Sequence, residues 1–262
     1  MSRYTQNSMK KLQRFASSVL AFLYPQRCLG CEAIIASEEL FCQICEHAVY
    51  PLATPLCERC GAPFATGPDR ICGRCFAQPP AFARARAWAY YESATHTVQP
   101  LSAAIQRFKY GRNMSTGKLL AQLGAAHFPF ATSAYDLILP VPLHLHRLRW
   151  RGFNQSLLLA QAIGKSYQVR VDPFLLSRTK PTLPQTQLTE SERKSNVRGA
   201  FCVMTQNRYN KQNSQNSVRR KRVLVVDDVY TSGATVEECA RVLYKSGASE
   251  VDVFTLARAV FR

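Results

Sequence analysis

Two adjacent carboxylates followed by a turn rich in hydroxyl groups are the residues best suited to do chemistry in this sequence. Residues 223–235 read V-L-V-V-D-D-V-Y-T-S-G-A-T. The aliphatic run before Asp227 and Asp228 predicts a buried parallel strand. The turn offers backbone N–H groups and hydroxyls at the start of a predicted helix, an arrangement that suits a phosphate. In an open α/β sheet both features would lie at the carboxyl edge of the strands, where ligands bind.

The acid pair and the turn are together suited to a phosphorylated sugar. Asp227 and Asp228 can accept hydrogen bonds from two ribose hydroxyls. The turn residues that can hold the 5′-phosphate are Thr231, Ser232, Gly233, Ala234 and Thr235. At every defined position the pattern resembles the signature for phosphoribosyl pyrophosphate (PRPP) in type I phosphoribosyltransferases. The alternative is an ordinary core strand that ends in solvated acids.

The cysteines predict two metal sites. Eight of them fall in C-x-x-C pairs: Cys28, Cys31, Cys42, Cys45, Cys57, Cys60, Cys72 and Cys75. Two such pairs supply four thiolates that can close tetrahedrally on Zn²⁺ and leave no coordination position open. We therefore expect a double zinc ribbon with two structural zinc ions, in a reducing compartment. The four C-x-x-C units, or knuckles, can share the two zinc ions in sequential or in crossed pairs, and both arrangements remain open. The alternative to zinc binding is eight unbound cytosolic thiols.

A cationic segment follows a second predicted strand, residues 136–141. It contains His144, His146, Arg147, Arg149 and Arg151 and leads to a predicted helix over residues 157–167. The negative charges of a diphosphate need cations and N–H donors, so this segment is a candidate pyrophosphate site. The alternative is a solvated basic turn. Metal binding by the two histidines is not expected, because no third ligand is nearby in the sequence.

The 262 residues leave room for a full α/β domain with a small module attached. We expect an amphipathic helix over residues 1–24, because apolar residues recur there at helical spacing. The double zinc ribbon would cover residues 25–80 and the α/β domain residues 81–262. No segment approaches the ~18 apolar residues of a membrane span, so we expect a soluble, cytoplasmic protein.

Further patterns predict the remaining parts of the α/β domain. Strands are expected over residues 83–91, 200–204 and 250–257, and a helix over residues 96–110. Residues 178–198 hold few apolar side chains and predict a mobile loop that closes over the active site. Residues 205–221 are rich in Asn, Gln and basic residues and predict a disordered insertion. Thr235 and Glu238 predict a capping box for the last helix.

The formal net charge of +17 favours polyanionic partners such as nucleic acid or phosphorylated metabolites. Zinc ribbons commonly bind nucleic acid or a protein partner. Basic residues of the ribbon region permit the first of these: Arg27, Arg59, Arg70 and Arg74. A basic surface that serves only solubility is the alternative.

Several motifs occur together in an order that resembles the ComF/GntX family. After the zinc ribbons come a strand ending in V-P, the string R-G-F-N-Q at residues 151–155, the pattern R-T-K-P-T-x-x-Q-T-x-L at residues 178–188, and the PRPP signature. Members of this family are phosphoribosyltransferase-like proteins associated with bacterial natural transformation and DNA utilisation. The resemblance covers residues 25–258, and the insertion rich in Asn and Gln departs from the compact family pattern.

The resemblance implies the type I phosphoribosyltransferase fold, in which helices flank a parallel sheet, with PRPP and Mg²⁺ as ligands. It assigns Asp227 and Asp228 to the ribose hydroxyls and the magnesium shell. It assigns residues 231–235 to the 5′-phosphate, and it places Val141 and Pro142 at the border of the pyrophosphate loop.

The resemblance also implies catalytic roles if the protein is an active enzyme. Asp227 or Asp228 would stabilise the oxocarbenium-like ribose that forms as pyrophosphate leaves. Magnesium and an arginine, Arg147 or Arg151, would steady the leaving group. The acceptor cannot be identified from the sequence.

Two classes of function therefore remain open. In the first, the protein transfers phosphoribose from PRPP to an acceptor. In the second, it is a non-catalytic DNA-handling factor that keeps the fold for ligand binding or architecture. Single-stranded DNA is an expected partner, and a DNA-uptake helicase or other competence proteins are further candidates.

Overall fold

The computed structural model describes residues 25–36, 39–91, 99–111, 114–130, 134–181, 189–204 and 218–259. The helix predicted over residues 1–24 lies outside this set. The same holds for residues 205–217, which make up most of the predicted insertion. Within the described part of the chain, no helix is long and apolar enough to cross a membrane.

A four-stranded, fully parallel sheet forms the centre of the molecule. Its strands are β1 Arg84–Tyr91, β2 Leu137–Pro140, β5 Arg222–Tyr230 and β6 Glu250–Ala259. They stand in the order β1-β6-β5-β2. The interior strands β5 and β6 are buried over residues 223–226 and 251–258, as expected for strands covered on both faces. The predicted parallel sheet flanked by helices is confirmed.

Helices cover both faces of this sheet. The two short ones in the ribbon region are α1 Gln43–His47 and α2 Gly73–Ala77. Those of the α/β domain are α3 Pro100–Gly111, α4 Met114–Ala126, α5 Leu145–Arg151, α6 Gln155–Tyr167, α7 Glu190–Val197 and α8 Ala234–Lys245.

The sheet separates two hydrophobic cores, because successive side chains of a strand point to opposite faces. On one face, alternate residues such as Leu139 and Val225 pack with α8 and with Cys57, Cys60 and Cys75. On the other face, Ile138 and Leu224 pack with α3, α4 and α6, and with Cys28 and Cys45. The two groups of cysteines therefore lie on opposite faces of the sheet.

The region predicted as a mobile loop contains regular structure. Strand β3 (Leu176–Arg178) pairs antiparallel with β4 (Phe201–Val203), apart from the main sheet. The prediction is wrong for Glu190–Val197, which forms helix α7. A capping box between Thr189 and Glu192 begins this helix. Residues 182–188 lie outside the described part of the chain.

The capping box predicted at Thr235 and Glu238 is also wrong. Helix α8 begins one residue before Thr235, and its N-cap is Gly233 with φ +81°. Glu238 is buried, and its Oε1 accepts a hydrogen bond from the Gly199 backbone N–H at 2.8 Å. Its carboxylate therefore joins α8 to the segment after α7 and does not reach back to the helix start.

Candidate functional site

A cavity of about 450 Å³ opens at the carboxyl edge of the sheet. Strands β1, β2 and β5 all end here because they run parallel, so the segments that follow them meet around one space. The lining residues are Tyr91, Lys109, Tyr110, Val141, Leu143, Arg147, Trp150, Arg151, Gln155, Ser156, Arg178, Asp227, Asp228, Val229, Thr231 and Thr235.

Asp227 is held in a fixed position at the floor of the cavity. Its Oδ1 accepts hydrogen bonds from the Ser156 hydroxyl at 2.8 Å and from the Asp228 backbone N–H at 2.9 Å. Burial and the neighbouring Asp228 carboxylate raise the pKa of Asp227 to about 7. This carboxyl group therefore changes its protonation state near neutral pH, which is common for functional groups in clefts.

Asp228 is paired with a lysine from another element. The Lys109 ammonium, near the end of α3, lies 2.9 Å from Asp228 Oδ2, and both side chains are mostly buried. Burial alone would lower the pKa of Lys109, but the charge and hydrogen bond of Asp228 raise it above its ordinary value. The lysine therefore stays charged and adds a cation to the acidic floor.

The turn after β5 is shaped by one glycine. Gly233 has φ +81°, and a Cβ there would lie 2.3 Å from the Tyr230 hydroxyl. The Ser232 hydroxyl accepts a hydrogen bond from the Ala234 backbone N–H at 3.4 Å. This closes the turn at the start of α8, where the first N–H groups of a helix lack intrahelical partners. The turn can therefore present N–H donors and the hydroxyls of Thr231 and Thr235 to an anion.

A contact with the zinc-ribbon region supports the same turn. The Arg74 guanidinium donates a hydrogen bond to the Ser232 carbonyl at 3.2 Å. Arg258 donates to the Cys60 carbonyl, and its guanidinium carbon lies 4.2 Å from the Tyr230 ring centroid. Tyr230 in turn contacts Gly233, so two arginines connect the cysteine knuckle to the candidate phosphate site.

Arginines form one wall of the cavity. Burial and the neighbouring Arg151 lower the pKa of Arg147, and burial and Arg147 lower the pKa of Arg178. Like charges that destabilise one another are stabilised when an anion binds between them. Together with Lys109, these side chains bring four cations to a cavity that holds two carboxylates. This balance suits a ligand with several negative charges.

The structure brings most of the predicted site residues to one place. Val141, Arg147, Arg151, Asp227, Asp228, Thr231 and Thr235 all line the cavity. The remaining predicted residues are next to lining residues in the chain but do not line the cavity themselves: Pro142, Ser232, Gly233 and Ala234. Ser232 and Ala234 are buried. The cavity also contains functional groups that sequence reasoning missed: Lys109, Ser156, Tyr91, Tyr110 and Trp150.

The eight paired cysteines form two compact groups with the spacing that zinc requires. One group is Cys28, Cys31, Cys42 and Cys45, hereafter the first ribbon; the other is Cys57, Cys60, Cys72 and Cys75, the second ribbon. In each group the sulfur atoms lie within 4.8 Å of one another. Sulfur atoms around tetrahedral Zn²⁺ lie about 3.8 Å apart, since Zn–S is ~2.3 Å.

Individual distances agree with that geometry. The Sγ atoms of Cys31 and Cys42 are 3.7 Å apart, and those of Cys60 and Cys72 are 3.8 Å apart. The Cys42 and Cys72 backbone N–H groups each donate to a sulfur of their own group at 3.3 Å. Such N–H donors stabilise thiolates, and the groupings follow the sequential pairing of the knuckles.

Two family models match the chain. A double zinc ribbon domain matches residues 19–76, and a phosphoribosyl transferase domain matches residues 169–259. The second match includes β5, the turn and α8. With the parallel sheet, it supports the predicted phosphoribosyltransferase fold.

Similar proteins cover more of the chain. Competence protein F of Haemophilus influenzae is 34% identical over 169 residues, which are 63% of this chain and 70% of that protein. DNA utilization protein YhgH of Escherichia coli K12 is 33% identical over 178 residues, which are 66% of this chain and 74% of that protein.

A solved structure of Bacillus subtilis glutamine phosphoribosylpyrophosphate amidotransferase, complexed with ADP and GMP, is 19% identical to the chain. The match covers 63% of this chain and 29% of that one, and its TM-score of 0.33 is too low to add to the fold assignment. The similarity to these relatives and the presence of both domains show that the chain belongs to the ComF family, which includes competence protein F and DNA utilization protein YhgH.

Proposed function

We propose that this protein binds PRPP in the cavity and acts in the uptake or use of DNA. The observation that carries the proposal is the meeting of the aspartate pair, the turn after β5 and the arginine wall around one space. PRPP presents a ribose diol, a 5′-phosphate and a diphosphate. Each of these groups has a chemically matched partner among the lining residues.

The assignment of PRPP groups follows from the positions of the side chains. Asp227 and Asp228 accept hydrogen bonds from the ribose hydroxyls, with Asp227 kept in position by Ser156. The turn 231–235 takes the 5′-phosphate at the start of α8. The diphosphate lies toward Arg147 and Arg151, where its negative charge relieves the repulsion between the two guanidinium groups.

The residues also fit Mg²⁺. This ion prefers carboxylate and phosphate oxygens and usually keeps several waters, so it binds with one or two carboxylates and a phosphorylated ligand. Asp227 and Asp228 supply the carboxylates. When bound, magnesium would neutralise diphosphate charge. The cation would also favour the ionised form of Asp227, whose pKa is otherwise raised to about 7.

Transfer of phosphoribose would use the same groups. As the bond from ribose C1 to the pyrophosphate oxygen breaks, positive charge develops on the ribose and negative charge on the diphosphate. Asp227 or Asp228 stabilises the first, and Arg147 or Arg151 the second. Arg178, which is 9% exposed at the end of β3, adds a further cation to the wall. The acceptor would attack C1 and complete the transfer.

The alternative is a non-catalytic DNA-handling factor that binds PRPP as a ligand only. The net charge of +17 and the names of the relatives, a competence protein and a DNA utilization protein, favour DNA contact in either case. Single-stranded DNA, a DNA-uptake helicase and other competence proteins are the proposed macromolecular partners. Eight thiols arranged as zinc ligands favour the reducing cytoplasm as the compartment.

The test is a calorimetric titration of the zinc-loaded protein with PRPP and Mg²⁺. Wild type should bind, and Asp227→Ala with Asp228→Ala should abolish binding while zinc content stays at two ions per chain. Glu237→Ala is a matched control, because it removes a carboxylate on α8 that pairs with Arg241 and does not line the cavity. Equal affinity in wild type and the double variant would refute the site. Pyrophosphate release in the presence of candidate acceptors then separates the enzyme from the non-catalytic factor.

A further inference from the structure

Helix α5 and the end of α3 form an exposed aromatic and basic surface beside the cavity. None of the seven residues of α5, all of which the structure describes, is fully buried, and only Arg147 and Arg151 are half-buried. Trp150 on this helix is 50% exposed, and Tyr110 on α3 is 57% exposed. The name "rim" is used here for Tyr110, Arg147, Arg149, Trp150 and Arg151. Large exposed apolar groups clustered among charged ones mark interaction surfaces.

The rim helix is fixed in position although it buries none of its residues. Gly152 ends it in the left-handed conformation with φ +81°, and the Gly152 N–H donates to the Leu148 carbonyl at 2.7 Å. The next residue, Phe153, stacks on Phe108 with ring centroids 4.8 Å apart and planes inclined by 10°. A short helix held in this way presents its side chains at a defined place beside the cavity.

The aromatic and basic side chains of the rim are close together. The rings of Tyr110 and Trp150 are 6.1 Å apart between centroids and inclined by 65°. The Arg151 guanidinium carbon lies 5.6 Å from the Tyr110 ring centroid. Both rings also line the cavity that holds the aspartate pair. A ligand on the rim would therefore lie next to the proposed PRPP site.

A buried side-chain amide next to the rim is available to a ligand as a hydrogen-bond donor. Gln155 is only 3% exposed and lines the cavity. Among the described residues, its Nε2 has no hydrogen-bond partner. A buried amide donor without a hydrogen-bond partner destabilises the folded protein. A ligand that enters from the rim with a carbonyl or ring nitrogen would satisfy it.

The chemistry of the rim favours one kind of occupant. Aromatic rings and guanidinium groups stack on nucleobases, and arginines bind phosphates. The bases must be unpaired, because those of a duplex are already stacked and lie out of reach. An acidic peptide would satisfy the arginines but would leave both rings exposed to water.

We propose that the rim binds single-stranded DNA, with one unstacked base against Tyr110 and Trp150. The flanking phosphates contact the arginines of α5, and the edge of the base meets Gln155. This inference rests on the proposed function, since it places a nucleobase beside bound PRPP. It adds the location and the mode of binding, namely stacking at the cavity mouth.

The experiment compares two probes by fluorescence anisotropy with the zinc-loaded full chain. One is a fluorescein-labelled dT20, and the other an abasic strand of the same length and charge. Wild type should bind dT20 at least about fivefold more tightly, because a stacked base stabilises the complex substantially. Trp150→Ala and Tyr110→Ala should each remove most of this preference, and Trp150→Phe should restore it. Equal affinity for the two probes would overturn the proposal.

Two controls locate the binding. Phe174 is 72% exposed and is not among the residues that line the cavity, so Phe174→Ala should retain the preference for dT20. Phe76, 82% exposed after the second ribbon, tests that module in the same way. Loss of the preference in Phe76→Ala but not in Trp150→Ala would assign the DNA to the ribbon and contradict the proposal.

Salt dependence tests the phosphate contacts. Arg149→Ala should reduce the slope of log affinity against log salt by about 0.7, the value for one phosphate contact on a single strand. An unchanged slope would contradict the proposed contact between Arg149 and a phosphate of the strand.

A PRPP titration of the same preparation separates the two proposals. Binding of PRPP without a preference for dT20 contradicts only the proposal that the rim binds single-stranded DNA. A preference for dT20 without PRPP binding contradicts the proposed function and leaves the rim supported.

Discussion

The two zinc ribbons have the same ligands but contact different parts of the domain. The first ribbon packs with α3 and α4 on one face of the sheet. Its polar link is Arg107, which donates to the Leu29 carbonyl at 2.7 Å. The second ribbon packs with α8 on the opposite face. Its polar links include Arg74 and Arg258, which reach the turn after β5 and the Tyr230 ring that supports it.

Two metal sites with the same four ligands can therefore differ in function. The second ribbon is hydrogen-bonded to the segment proposed to hold the 5′-phosphate. Among the described residues, the first ribbon is linked to the cavity through α3, which carries both Arg107 and Lys109. We therefore expect zinc in the second ribbon to matter for PRPP affinity, and zinc in the first to matter mainly for stability.

Removal of one ligand from each ribbon should have the largest effect. Cys42 and Cys72 are matched, since each is the half-buried N-cap of a five-residue helix. Because structural zinc contributes on the order of 10 kcal/mol of local folding free energy, each Cys→Ser variant should lose one zinc and disorder its own ribbon. Cys72→Ser should weaken PRPP binding by about 100-fold or more, and Cys42→Ser by only about threefold. Zinc analysis and calorimetry measure both; equal losses of affinity would contradict the comparison.

The arginines that hold the ribbons offer a second, smaller contrast. Arg258 is buried and contacts both Cys60 and Tyr230, whereas Arg107 is partly exposed. Arg258→Ala should lower the free energy of unfolding by about 3 kcal/mol, and Arg107→Ala by about 1 kcal/mol. Urea denaturation of the zinc-loaded variants measures this. The contrast fails if Arg107→Ala is the more damaging change.

Arg74 tests the link between ribbon and turn with little disturbance of the fold. Arg74→Ala removes the hydrogen bond to the Ser232 carbonyl and should weaken PRPP binding about fivefold, which corresponds to ~1 kcal/mol. The equivalent position of the first ribbon is Ile44, which is exposed, and Ile44→Ala should leave the affinity unchanged. A fivefold loss in both variants would mean that the effect does not pass through the turn.

The pH dependence of stability should separate the cavity floor from both ribbons. Asp227 has a pKa raised from 3.8 to about 7 in the folded protein. The contribution of this raised pKa to the free energy of unfolding is fully present below pH 3.8. It is lost as pH rises through about 7, because the unfolded chain releases the proton at a lower pH than the folded protein does. The free energy of unfolding of wild type should therefore fall between pH 5.5 and 7.5. In Asp227→Asn this fall should be smaller, by on the order of 1 kcal/mol. Urea denaturation at the two pH values measures this, and parallel curves would show that the proton does not reside on Asp227.

The sequence predicted the parts of the site that are contiguous. Asp227, Asp228 and the turn 231–235 follow one another, so local pattern and strand polarity were sufficient to place them at a ligand-binding edge. Lys109 could not be found in this way, because its contact with Asp228 joins α3 to β5 across the fold. The ribbons' positions on opposite faces depend likewise on the path of the chain around the sheet.

Local signals failed where a tertiary contact or a better local signal competed with them. Glu238 has the spacing of a capping residue, but its carboxylate accepts a hydrogen bond from the Gly199 backbone N–H instead. Residues 190–197 have few apolar side chains, yet the Thr189 and Glu192 capping box begins a helix there and Val197 is buried. The aromatic rim was missed because Trp150 lies in a short basic helix that has no fully buried residue, and Tyr110 lies on α3, so only the fold brings the two rings together.

The most direct test of the central claim is hydrogen exchange of the zinc-loaded protein with and without PRPP and Mg²⁺. The claim is that PRPP binds at the turn after β5 and that the second ribbon supports this turn. We expect slower exchange on PRPP binding in residues 231–236 and in residues 72–76 of the second ribbon, with no change in residues 42–46 of the first. Unchanged exchange in residues 231–236 at saturating PRPP would contradict it.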